Sequence, residues 1–178
     1  MIRLALAGLA VLTLAGPAAS EELDAPTLVN LFVKTCALRP ALPSELYRIA
    51  SEVGFASEYG PIRAELESGP KIDIVYAAKL MVRGEKVSLT AYFTGPVDGP
   101  EVVCSVQSLS VSPDGLADLI AQSLRTYDRT DKATADGNRL QVDWHLGAAG
   151  TGDKLELRAY QDPPRRASIS LDYVGRKR

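Results

Sequence analysis

The sequence is poor in the residues that build most active sites. It holds one histidine, His145, two cysteines, Cys36 and Cys104, one tryptophan and three phenylalanines in 178 residues. A single histidine excludes two-histidine metal sites made by one chain, and it leaves any serine or cysteine triad only one base to use. There is no GxSxG turn and no phosphate-cradling GxxxxGK loop. Long apolar runs are also missing. The only one, residues 4–14, is about half the roughly 20 residues a membrane-spanning helix needs. Charge of one sign is lacking too: 20 basic against 22 acidic residues give a net charge of −2, which argues against a general nucleic-acid or anionic-membrane binder. No cofactor or metal-ligand motif stands out, so the expected cofactor set is none.

What is present begins with a leader. Arg3 supplies a positive start and residues 4–14 an apolar stretch. Gly16 and Pro17 end it, and Ala18-Ala19-Ser20 places small residues where a signal peptidase cuts. We therefore expect residues 1–20 to be a cleaved signal peptide, with residues 21–178 forming one domain in the periplasm. Two cysteines in an exported chain most often pair, so a Cys36–Cys104 disulfide is expected; a reduced pair or a link between chains are the alternatives. The two are not a CxxC, which gives a redox role no support.

Asp24 and Pro26 open a helical pattern with Leu28, Leu31, Phe32 and Cys36 on one face. Ser44 is expected to cap a second helix with Leu46, Ile49, Ala50 and Val53 inward, stopped by Gly54 and Phe55. Residues 56–70 read as a connection, with one helical turn around residues 62–66. Residues 71–95 read as a hairpin turning at residues 83–86, and residues 101–109 as a third strand with Val102, Cys104 and Val106 inward. Ser112 and Pro113 then open a third helix, carrying Leu116, Leu119, Ile120 and Leu124. A polar loop over residues 130–138 leads to three more alternating strands. These carry Leu140, Val142 and Trp144; Leu155, Leu157 and Ala159; and Ile169, Leu171 and Tyr173. The expectation is an α+β domain of order ααβββαβββ. Its antiparallel sheet or sheets have about six strands with helices on one face, and a duplicated αβββ unit is open as an explanation.

The stretch Phe32-Val33-Lys34-Thr35-Cys36, then Ala50-Ser51-Glu52-Val53-Gly54-Phe55 and a later strand cysteine, Cys104, resembles small uncharacterised exported proteins of Gram-negative bacteria. The resemblance covers about the first half of the mature chain. It implies the periplasm and the disulfide, and carries no activity.

Chemistry-bearing residues are few. His145 shares a strand face with Asp143, which could orient its imidazole, but no nucleophile is placed beside it. Glu65 and Glu67, and the alternating acids Asp143, Glu156 and Asp172, are the carboxylates available to a hydrolase. Asp128, Asp131 and Asp136 offer oxygen ligands without the spacing of a calcium loop, so no metal site is assigned. Tyrosine is the abundant aromatic, and Tyr92 and Tyr160 fall on the polar phase of their strands, where they offer contact area at low entropic cost. The expected contact surface is Tyr92, Tyr160, Asp143 and His145, with no catalytic residue. The function expected is a monomeric, non-catalytic binding or accessory protein for an envelope protein or small ligand, an inhibitor or immunity protein being one form. The alternative is a small periplasmic hydrolase that uses carboxylates or His145. A structural subunit is a third option, and would expose a large apolar patch.

Overall fold

The computed structural model describes residues 23–124, 134–136, 138–145, 153–161 and 165–175, with only the backbone of residues 64, 134–136 and 145. The expected signal peptide, Asp128 and Asp131 lie outside them.

The chain enters through helix α1 (Ala25–Lys34), whose first turn Asp24 caps by accepting from the Thr27 amide at 2.8 Å. The helix was expected to carry Cys36, but it ends at Lys34. Thr35 leaves the helical conformation, its hydroxyl donates to the Leu31 carbonyl at 2.7 Å, and Cys36 falls in the 3-10 turn Cys36–Leu38. Helix α2 (Pro43–Val53) starts one residue before the expected cap, with Pro43 in its first turn and no side-chain cap from Leu42. Gly54, at φ 102°, stops it as the sequence suggests, and the Phe55 amide returns to the Ala50 carbonyl at 2.9 Å.

Eight strands form one antiparallel sheet in the order β1-β2-β3-β4-β8-β7-β6-β5. They are β1 (Ala56–Ser57), β2 (Lys71–Val82), β3 (Glu85–Pro96), β4 (Glu101–Ser108), β5 (Thr134–Asp136), β6 (Arg139–His145), β7 (Lys154–Tyr160) and β8 (Arg166–Val174). The expected six strands become seven of three or more residues plus the two-residue β1. The additions are edge strands: β1 lies in the stretch read as connection, β5 in the stretch read as polar loop. Both are too short to show a period of two, and pairing with β2 and β6 is what makes them strands. The hairpin turn is also tighter than expected. Val82 pairs with Glu85, so only Arg83 and Gly84 turn, both at positive φ (52° and 84°), which matches the strand twist of a two-residue hairpin.

Helix α3 (Leu116–Ser123) begins three residues later than Ser112-Pro113 suggests. Gly115, at φ 70°, takes the cap position, while Ser112 and Asp114 bond to each other in the preceding turn. The result is two helix-then-meander halves, joined where the last strand of each, β4 and β8, pair antiparallel.

All three helices lie on one side of the sheet, as expected. α1 packs on β4 and on α3, and α2 packs on β1 and β2. The inward-facing residues expected on β4, β7 and β8 are buried, as are Val142 and Trp144 of β6 and Val87, Leu89, Ala91 and Phe93 of β3. Cys36 and Cys104 meet beneath α1 as a disulfide, both fully buried, with 5.4 Å between Cα atoms. Tyr173 donates from this layer to the Pro40 carbonyl at 2.8 Å. No helix among the described residues is long and apolar enough to cross a membrane.

Candidate functional site

With the helices on one side, the other side of the sheet stands open, and strand register fixes its map. Side chains alternate across a sheet, so residues directly paired on neighbouring strands lie side by side on one face, about 5 Å apart. One row runs Val75, Tyr92, Val103, Asp172, Lys154, His145 across β2, β3, β4, β8, β7 and β6. The next runs Ala77, Thr90, Ser105, Ser170, Glu156, Asp143, and the one beyond it Lys79, Ser88, Gln107, Ser168, Arg158, Gln141. On the opposite side of the first row lie Asp73, Thr94, Glu101 and Val174.

This face has two ends of different chemistry, separated by a band of serine and threonine. The β2–β8 end is apolar. Val75 is 47% exposed, Tyr92 51%, Val103 39% and Val174 52%. Asp73, Glu101 and Asp172 lie among and beside these four side chains. Among the described residues, none of the three carboxylates has an ion-pair partner. The Asp172 carboxyl is raised above its ordinary value, first by partial desolvation on the sheet and then by the charge of Glu101, against the weaker pull of Lys154. A carboxyl raised in this way loses its proton first in the unfolded chain, so its ionisation costs the fold stability as pH rises through that window.

The β6–β7 end is charged and internally paired. Glu156 accepts from Arg158 Nε and from Gln141 Nε2, each at 2.8 Å. Asp143, in register with Glu156, sits 3.4 Å from Lys154 Nζ, while its Oδ1 is buried without a hydrogen bond. The Glu156 hydrogen bond is the main cause holding the Arg158 guanidinium above its ordinary value. Arg139 reaches Gln141 at 2.8 Å and stands 6.0 Å from the Tyr160 ring centre.

The residues singled out from sequence therefore divide between the two ends. Asp143 and the backbone of His145 belong to the charged end, as does Tyr160, which pairs with Arg166 and Arg139; the His145 side chain lies outside the described residues. Tyr92 belongs to the apolar end, three strands from Tyr160. Glu65 and Glu67 do not form a carboxylate pair. Glu65 is exposed, whereas Glu67 is buried and accepts from the Ser44 amide (2.6 Å) and hydroxyl (2.7 Å), tying residues 64–67 to the start of α2. Among the described residues no three histidine, cysteine, aspartate or glutamate side chains converge as metal ligands. Val75, Val103 and Val174 were missed as contact residues. Their signal was in the sequence: each sits on the polar phase of its strand, out of step with its apolar neighbours. Comparison with protein-family models, with curated proteins and with solved structures gives no match for this chain.

Proposed function

We propose that this protein is an exported, periplasmic accessory protein that acts by binding, through the open face of its sheet, without catalysis. The observation that carries this reading is the apolar end of that face. Four neighbouring large side chains stand in solvent, Tyr92 and Val103 on strands paired on both sides, while an ordinary one-sided antiparallel sheet presents polar residues there. The buried disulfide suits an oxidising compartment. The carboxylates of the charged end support binding better than hydrolysis, because Glu156 is already engaged by Arg158 and Gln141 and Asp143 by Lys154.

The test is a crosslinking pull-down from the envelope of the source organism with residues 21–178 in oxidised form, read by mass spectrometry. A reproducible partner in near-equal amount is expected, and the Tyr92→Ala, Val103→Ser double variant should lose it while keeping its unfolding midpoint. A partner that this variant retains would move the contact surface away from the open face. Turnover of a hydrolase substrate abolished by Glu156→Gln would replace binding with catalysis.

A further inference from the structure

The acid-rimmed apolar end of the sheet carries a statement about what binds it. We infer that its occupant is an amphipathic protein helix whose apolar stripe is flanked by lysine or arginine; this rests on the reading of the open face as a binding surface. Two observations argue it.

The first is charge. Asp73, Glu101 and Asp172 stand among Val75, Tyr92, Val103 and Val174, none of the three has a cation in ion-pair contact among the described residues, and Asp172 on β8 and Glu101 on the adjacent β4 repel each other. Among the described residues, the cations of this face lie beside the patch, not within it. Lys154 is paired with Asp143 and Arg158 with Glu156, while Lys71 and Lys79 flank the patch along β2 beyond Asp73 and Ala77. Three carboxylates against exposed apolar surface are an unfavourable arrangement that incoming cations relieve, and the same field rejects an acidic partner.

The second is shape. Tyr92 and Val103, at the middle of the patch, lie on strands paired on both sides, whereas Val75 lies where β2 is an outer strand, since β1 pairs only with Ala78 and Lys79. A segment laid across the face over Tyr92 and Val103 cannot join the ladder, so it must satisfy its own backbone hydrogen bonds, which a helix does. From Val75 on β2 to Val174 on β8 is three strand spacings, about 14 Å. That is the rise of about nine helical residues, enough for leucine-sized side chains at i, i+3, i+4 and i+7 to meet all four exposed residues.

The experiment uses residues 21–178, oxidised, and two labelled synthetic helices of about 18 residues, long enough to hold helical structure. They carry leucines at identical positions, with lysine at every polar position of one and glutamate in the other. Binding is read by fluorescence anisotropy at low salt. The lysine helix is expected to bind at least about tenfold more tightly than the glutamate helix. Tyr92→Ala should weaken it about tenfold, as loss of a central aromatic anchor does, and Val75→Lys should abolish it. Glu101→Gln with Asp172→Asn should bring the two helices within about threefold of each other. Asp114→Asn with Asp118→Asn, exposed on the helix side, removes the same charge and should change nothing.

Equal binding of both helices, weakened by Tyr92→Ala, would overturn the charge inference and leave the open face as the binding surface. Binding of the lysine helix that neither Tyr92→Ala nor Val75→Lys alters would overturn both. No binding of the lysine helix would overturn the inference, with the face then judged by the pull-down.

Discussion

Two buried tyrosines on neighbouring parts of the same layer meet opposite fates. The Tyr173 hydroxyl donates a hydrogen bond to the Pro40 carbonyl, whereas the Tyr76 hydroxyl is buried with no hydrogen-bond partner among the described residues. Burial is the first cause raising both phenols, Tyr76 to about 12, so each stays neutral across the physiological range. Removal of the two hydroxyls should therefore have opposite signs. Tyr173→Phe leaves a buried carbonyl unsatisfied and should lower stability by about 1–2 kcal/mol, while Tyr76→Phe removes an unmet polar atom and should leave stability unchanged or raise it by up to about 1 kcal/mol. Urea unfolding at constant m-value separates the two outcomes. The sequence shows that both residues face inward, because each keeps the apolar phase of its strand. It does not show which hydroxyl is satisfied, since Pro40 is 133 residues away from Tyr173.

At the scale of elements, the caps show how local signals compete. Asp24 caps α1 from the predicted position, one carboxylate oxygen accepting from Thr27 while the other stands 3.7 Å from Arg83. Ser44, which reads as a cap, lies inside α2 because Pro43 is better suited to the first turn, and its amide and hydroxyl serve Glu67 instead. Glu67 thus holds the α2 N-terminus from 23 residues away, a favourable place for a negative charge. Glu67→Ala should cost about 2 kcal/mol, the penalty for an orphaned charged hydrogen bond. Glu67→Gln, which can still accept, should cost less; thermal unfolding of the pair checks the order. Strands with a long alternation were legible from the sequence alone. β1 and β5 were not, because two or three residues hold no period and their pairing partners are distant in the chain. The open-face patch was half legible: Tyr92 was singled out, but its neighbours Val75, Val103 and Val174 become neighbours only through register.

The molecule as a whole is two meanders sharing a seam at β4 and β8, with the disulfide set into the first. Cys36 and Cys104 are 68 residues apart, and closing such a loop limits the unfolded chain by about 4 kcal/mol in the chain-entropy account. The Cys36→Ala, Cys104→Ala double variant should lose about that much stability by urea unfolding, a large share of a typical domain's total of about 5–15 kcal/mol. An unchanged midpoint would assign the bond a role other than stability. The inward phase of both cysteines was readable beforehand. The seam was not, because two halves of alternating strands can also be stacked as separate sheets, and only the pairing of Glu101–Ser108 with Ala167–Val174 makes them one.

That seam also has a history within each chain's lifetime. Synthesis delivers α1, α2 and β1 to β4, with both cysteines, long before β8 exists, and β8 is the last strand made. Until it arrives, β4 offers a bare edge of apolar, β-branched residues to any strand it meets, including β4 of another unfinished copy. A Cys36–Cys104 bond, even once formed, holds β4 beneath α1 without covering that edge. The most hazardous moment for this protein is thus the wait for its final strand, and shortened chains that stop before β8 are the forms most prone to clump.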